Sequence, residues 1–201
     1  CSGHVLYRTA DFANFKNLAH HNLEMIKESG ARCVVFSCPE GYATFKHLYP
    51  KFFRKLKFDI VHIIELVANR VKSDEITLKE NHGKVTYQDP CRLGRFMGIY
   101  DEPRTILKGI PGIEFQEMAR SGPDALCCGS SGWINCTRVN KKIQIERLKE
   151  ALDTGAETLI TACPKCNIHL SCAMRDDPDV NIVIKDMTTL LAESLGGKRA
   201  K

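Results

Sequence analysis

The chain has 201 residues, 43% of them apolar and 26% charged, with 14 Gly, 8 Pro and one Trp. That composition excludes disorder and collagen, and the length is enough to bury a full core without disulfide staples. The net charge of +5, from 29 Lys plus Arg against 24 Asp plus Glu, is modest and spread along the sequence, which argues against a nucleic-acid partner.

No apolar span reaches membrane length and no signal peptide is recognisable. The ten cysteines therefore read as thiols in a reducing cytoplasm. Cysteines there serve as metal ligands or redox centres more often than as disulfides.

In chain order, an amphipathic helix carrying Leu18, Leu23, Met25 and Ile26 stops at Gly30. The β-branched and aromatic run from Cys33 to Phe36 reads as a short buried strand. Cys38-Pro39 then opens a helix, because proline fits its first turn. Lys51, Arg54, Lys55 and Lys57 interleave with Phe52, Phe53 and Phe58 at helix-like spacing. This predicts an amphipathic surface helix or, read functionally, a docking patch for an acidic electron-transfer partner. Ile60 to Leu66 is a strand running into a helix, and residues 72–84 form a polar bridge.

The second half opens with a strand, Val85 to Cys91. A helix carrying Ile143, Ile145, Leu148, Ala151 and Leu152 follows, ending before Gly155. Thr158 to Thr161 is again a strand, Cys163-Pro164 again a helix start, and Val183 to Leu190 a strand running into a helix. The small basic tail, 196–201, reads as a frayed end.

These two halves repeat. Gly30-Ala31 through Cys38-Pro39-Glu40-Gly41 aligns with Gly155-Ala156 through Cys163-Pro164-Lys165-Cys166 at a constant offset, and Cys1-Ser2-Gly3 echoes Cys127-Cys128-Gly129. The repeat is a βα unit, which predicts an α/β fold of two pseudo-repeated, Rossmann-like lobes with short parallel sheets. The expected division is a first lobe at 1–71, a linker at 72–84, a second lobe at 85–195 and the tail. Only the second lobe has the opening strand at 85–91, so the chain is expected to begin partway into a two-lobe protein.

In the second lobe Cys91 and Cys163 each follow a strand, and in a parallel sheet such strand ends share the edge where ligands bind. Cys127 and Cys128 lie in a glycine-rich loop that can fold closely around an inorganic core, so the five thiols, with Cys166, can converge. Ligand counting leaves the core open. Structural zinc takes four ligands from two close pairs, and a cubane [4Fe–4S] cluster commonly shows three cysteines in one short run. Neither accounts for adjacent cysteines plus a fifth.

Asp89-Pro90-Cys91-Arg92-Leu93-Gly94-Arg95, Cys127-Cys128-Gly129 and Cys163-Pro164-Lys165-Cys166 together resemble the cysteine-rich CCG domain of heterodisulfide reductase catalytic subunits. The domain also occurs in glycolate and lactate oxidation subunits and in dissimilatory sulfite-reduction membrane complexes. The resemblance implies a noncubane [4Fe–4S] cluster held by Cys91, Cys127, Cys128, Cys163 and Cys166, where a disulfide or related sulfur substrate is reductively cleaved. It also implies a ferredoxin-like iron–sulfur subunit or domain as electron donor, a thiol or disulfide as the small-molecule partner, and attachment to the inner face of the membrane through an anchor subunit. The first lobe departs from the pattern. Ser2 and Gly41 stand where cysteines are expected, leaving Cys1 and Cys38, so that lobe is expected to be empty or to hold zinc.

Arg92 and Arg95 are candidate substrate-binding residues, since arginine grips anions by paired contacts. Arg104 has a weaker claim and is otherwise expected to pair with Asp101 and Glu102. Lys165 can lower a thiolate pKa or donate to cluster sulfur. Trp133, Asn135 and His169 read as packing residues, and Cys33, Cys136 and Cys172 as small buried hydrophobes. Two other classes stay open: an electron relay without substrate chemistry, and a zinc-stabilised scaffold. A thioredoxin-like dithiol at Cys163 and Cys166 would leave the Cys127-Cys128 pair unexplained.

Overall fold

A computed structural model describes residues 1–53, 56–130 and 137–195. Two compact units make up the chain, Cys1–Ile63 and Ile64–Lys201. Among the described residues no helix is long and apolar enough to cross a membrane.

In the first unit a short helix α1 (His4–Arg8) precedes α2 (Phe12–Ser29), which is capped by the Asp11 carboxylate and ended by Gly30 in the left-handed region. Strand β1 (Cys33–Phe36) follows, then α3 (Pro39–Ala43), a π-helical turn (Thr44–Leu48), α4 (Tyr49–Phe52) and β2 (Asp59–His62). β1 and β2 pair in parallel, Val34 opposite Ile60. The core is aromatic: Phe15, Phe45 and Tyr49 are buried, and Phe36, Phe52, Phe53 and Phe58 pack against them.

That packing corrects the surface helix expected over residues 51–58. Helix α4 ends at Phe52, and Phe53 is extended. The spacing of the phenylalanines reflects their shared contact with Phe15 and Tyr49, not helical periodicity. Arg54 and Lys55 lie outside the described residues.

Helix α5 (Ile63–Lys72) leads into the second unit, whose strands are β3 (Gly83–Gln88), β4 (Ile113–Phe115), β5 (Thr158–Thr161) and β6 (Val183–Asp186). Its helices are α6 (Gly94–Met97), α7 (Asp101–Gly109), α8 (Arg138–Leu152), α9 (Pro164–Asp176) and α10 (Met187–Ser194). The segment read as a polar bridge is fastened to this unit. Leu78 is buried, Lys79 N–H donates to the Ser194 carbonyl at 2.6 Å, and Asn81 N–H to the Pro111 carbonyl at 2.9 Å.

All strand pairs are parallel, in the order β4-β3-β5-β6. Numbered from the first strand of the sheet this is 2-1-3-4, the flavodoxin-type doubly wound order, whereas the Rossmann order runs 3-2-1-4. The chain leaves β3 toward β4, then crosses back to β5, so the direction of winding reverses between β3 and β5. Ligands in such sheets bind beyond the carboxyl ends of the strands at that reversal. Behind the reversal Leu159, Leu148, Ala151, Leu170, Ala173 and Ile182 form the core, and Cys128, Cys163 and Cys166 belong to it.

Candidate metal centre

Both strands at the reversal lead directly to a cysteine. β3 stops at Gln88 and Asp89-Pro90 carries the chain to Cys91; β5 stops at Thr161, two residues before Cys163. Gln88 and Thr161 are partners in the ladder. Neighbouring strands lie about 4.8 Å apart, so the two cysteines leave from adjacent points on one edge. Cys163 is the N-cap of α9 with Pro164 behind it, and Cys166 falls in the buried first turn.

Cys127 and Cys128 arrive from the loop between β4 and α8, and Gly129 shows why a glycine follows the pair. Its φ is 74°, and a Cβ there would lie 2.7 Å from Gln144 Cγ and 2.8 Å from the Asn140 carbonyl, against the backbone of α8. Asn140 completes the attachment. With Thr137 it forms a reciprocal cap at the start of α8, and its Nδ2 donates to the Gly129 carbonyl at 2.7 Å. Upstream, Arg95 donates to the Pro123 carbonyl at 3.2 Å and to the Ala125 carbonyl. Asp89 accepts from Gly122 N–H at 2.8 Å.

Held this way, the five thiols form one connected group. Cys91 is hydrogen-bonded to Cys127, Cys127 to Cys128, Cys128 to Cys166, and Cys166 to Cys163. Cys128, Cys163 and Cys166 are buried, while Cys91 and Cys127 are half-buried. Bonds from Cys128 and Cys91, with the N–H groups of Gly129 and Ser130, hold Cys127 far below the ordinary thiol range. Cys91 is pushed up by its bond to Cys127 and by burial, Cys128 by Cys127, and Cys166 by Cys128, Cys163 and burial. Positive charge entering the group would favour ionisation of the raised thiols Cys91, Cys128 and Cys166.

That donor set fits a polynuclear iron–sulfur core better than a single ion. A tetrahedral ion takes four ligands and would leave one of five thiols unused. Among the described residues, no group of three or more His, Cys, Asp or Glu side chains is set to hold a metal ion. Tyr87 adds a second observation. Its hydroxyl is buried without a hydrogen-bond partner, and burial, Asp89, Cys166 and Cys163 all push its pKa up, against Arg104. A sulfide-rich core beside those cysteines would give this donor an acceptor.

Several expectations change. Arg104 does not pair with Asp101 or Glu102. Its guanidinium takes Asp89 with two bonds of 2.9 Å and Glu117 with bonds of 2.6 and 2.9 Å, and these contacts raise its pKa despite burial. It is a clamp behind the Cys91 turn. Arg95 is engaged by the backbone of the cysteine loop, whereas Arg92 stacks over Phe96, 4.2 Å from the ring centroid. Arg92 also draws the Cys91 pKa down.

Cys33 is exposed, not a buried hydrophobe. Cys172 is half-buried and accepts a hydrogen bond from Lys141 Nζ at 3.0 Å, which lowers its pKa. Lys165 is buried, and burial with Lys165 and Lys141 lowers the pKa of half-buried His169. Trp133, Asn135, Cys136 and the tail lie outside the described residues.

Comparison with known proteins decides the family. The cysteine-rich domain called CCG matches residues 1–46 and 85–171. The chain belongs to the CCG cysteine-rich domain family. It is similar to one subunit of the dihydromethanophenazine:CoB–CoM heterodisulfide reductase of Methanosarcina barkeri, 37% identical over 98% of this chain and 49% of the relative. The "Probable iron-sulfur-binding oxidoreductase FadF" of Bacillus subtilis is 30% identical over 100% of this chain and 29% of the relative. One subunit of the fumarate reductase (CoM/CoB) of Methanothermobacter marburgensis is 28% identical over 95% and 38%. The CCG chain thus spans at most about half the length of these relatives. The names of these relatives are those of reductases and of an iron–sulfur-binding oxidoreductase. Among solved structures, glutamate racemase RacE1 from Bacillus anthracis aligns at 12% identity with a TM-score of 0.39 over 88% of this chain and 64% of that one, too loose a likeness to carry argument.

Proposed function

We propose that this CCG chain is the cluster-bearing part of a heterodisulfide-reductase-type enzyme. In this reading a noncubane [4Fe–4S] cluster sits on Cys91, Cys127, Cys128, Cys163 and Cys166, and an organic disulfide is cleaved there to two thiols by two electrons and two protons. The observation that carries the reading is the connected group of five thiols at the winding reversal, closed in the core on one side and half-open at Cys91 and Cys127 on the other. When bound, the cluster supplies single-electron steps and a thiophilic iron.

The protein's own part is positional. The core side excludes water from Cys128, Cys163 and Cys166. Arg92, stacked on exposed Phe96, places a cation beside Cys91 where an anionic group of the substrate is gripped. Arg95 acts from the other side by holding the loop that delivers Cys127. Electrons come from a ferredoxin-like iron–sulfur subunit or domain, and any membrane attachment is made through a partner.

The test is anaerobic iron and sulfide analysis of the reconstituted protein, with EPR of the oxidised form before and after addition of a thiol. Four irons and four sulfides with a thiol-sensitive signal are expected. Iron that ignores thiol would instead make the centre a relay for an associated oxidase or membrane complex. Zinc without sulfide would make the chain a scaffold.

A further inference from the structure

Gln88, the last residue of β3, is buried, and every polar atom it carries beyond the ladder touches an arm of the cysteine centre or the residue that orients it. Its amide nitrogen donates to the Asp89 carbonyl at 2.9 Å and the Leu126 carbonyl at 3.2 Å. The first lies two residues before Cys91 and the second immediately before Cys127. The Gln88 carbonyl accepts from Thr161 Oγ1 at 3.4 Å, two residues before Cys163. One residue thereby joins all three chain segments at the points where they deliver their cysteines.

An amide side chain fits its cavity in two orientations, and the wrong one would set its oxygen against two carbonyl oxygens. Arg147 removes that choice. It is 0% exposed, and its Nε donates to Gln88 Oε1 at 2.5 Å. A guanidinium only donates, so the oxygen must face it and the NH2 must face the two carbonyls. Arg147 is itself held by the Arg120 carbonyl and Glu150, each at 2.8 Å, and its Nη2 is left buried without a hydrogen bond. An apolar pair would fill this space without that penalty. The arrangement makes sense if orientation is what the arginine supplies.

We propose that Gln88, turned by Arg147, is the positioning residue of the cysteine centre and sets the spacing of the Cys91, Cys127 and Cys163 arms. The proposal rests on the reading that these thiols hold a cluster, and its test separates the two. In reconstituted protein, Gln88→Glu keeps the contact with Arg147 but sets an oxygen against the Asp89 and Leu126 carbonyls in place of both donors. It should release iron to a chelator about tenfold faster, the lower end of what losing a supporting contact to a ligand costs, and it should alter the EPR line shape. The double variant Gln88→Leu with Arg147→Met puts an apolar pair in the same space. It should recover the melting temperature but not iron retention, whereas a purely structural role would recover both.

Wild-type iron retention and line shape in Gln88→Glu would overturn the inference while leaving the cluster standing. If the wild type takes up no iron, the cluster reading fails and the apoprotein decides the positioning. Diamide should then cross-link Cys91 to Cys127 readily in the wild type and poorly in Gln88→Glu, as read by mass spectrometry, and equal cross-linking would overturn the inference.

Discussion

The two units carry the same βα repeat and finish it differently. Cys38 and Cys163 hold the same place, each an extended N-cap followed by proline at the start of a helix. Three residues further on, one unit has Gly41 and the other Cys166. The neighbouring strand end changes in the opposite sense, Phe36 in the first unit and Thr161 in the second. A Cβ on Gly41 would lie 3.1 Å from the Phe36 ring, so the aromatic ring occupies room that the second unit gives to a thiol. Around it, His4 meets Thr44 at 3.3 Å and Glu40 at 3.7 Å. Large against small has been exchanged for small against large, and an aromatic and polar filling stands where the second unit collects sulfur. A repeat can therefore keep its backbone while exchanges such as this one, with Ser2 in place of a cysteine and the missing Cys91 strand, change its chemistry.

The largest effect that can break this comparison is a loss of metal confined to one unit. Cys128→Ala should abolish the iron–sulfur spectrum with the fold kept, and Cys38→Ala should leave iron and sulfide content unchanged. Equal losses from both would mean that the first unit takes part in binding.

Next come the paired glycines. Gly129→Ala forces a left-handed residue against the backbone of α8 and should destabilise the apoprotein by about 2–4 kcal/mol in urea unfolding. Gly3, with φ 79°, faces only the ends of the Phe15 and Leu18 side chains, so Gly3→Ala should cost about 1–2 kcal/mol. A reversed order would sink the claim that the second loop is the more tightly built.

The polar clamps differ less. Arg104→Met leaves Asp89 buried without its partner and should cost about 3 kcal/mol, against about 1 kcal/mol for His4→Leu in the first unit.

The smallest effect is local. Lys141 and Arg175 keep the Cys172 thiolate populated at lower pH than an ordinary thiol. As pH falls, alkylation of Cys172 should therefore persist further in the wild type than in Lys141→Met. Superimposable pH profiles would remove that assignment.

The strands over Cys33–Phe36 and Thr158–Thr161 were legible to the residue, because β-branched runs bounded by Gly-Ala and Cys-Pro leave little choice of boundary. So was the departure of Cys91 and Cys163 from neighbouring strand ends, since parallel strands share an edge. The helix over 51–58 was not, since burial of phenylalanine against a neighbouring helix imitates helical spacing. Nor were the supports. Arg147 and Gln88 are 59 residues apart and Arg104 and Asp89 are 15 apart, and no periodicity or motif marks a polar pair formed across the fold. Asn140 had a faint signal, as a Thr137-x-x-Asn140 cap ahead of the helix that carries Ile143, Ile145 and Leu148, but its second bond to Gly129 is a tertiary contact.

That double attachment of Asn140 has a consequence for motion. The side chain that closes the first turn of α8 also holds the carbonyl following the paired cysteines, so the loop cannot open without uncapping the helix. Helix ends fray when their caps are lost. Amide exchange in the first turn of α8 therefore reports the state of the cysteine loop, giving a protein stripped of its cluster and a loaded one different lifetimes at backbone positions that touch neither sulfur nor iron.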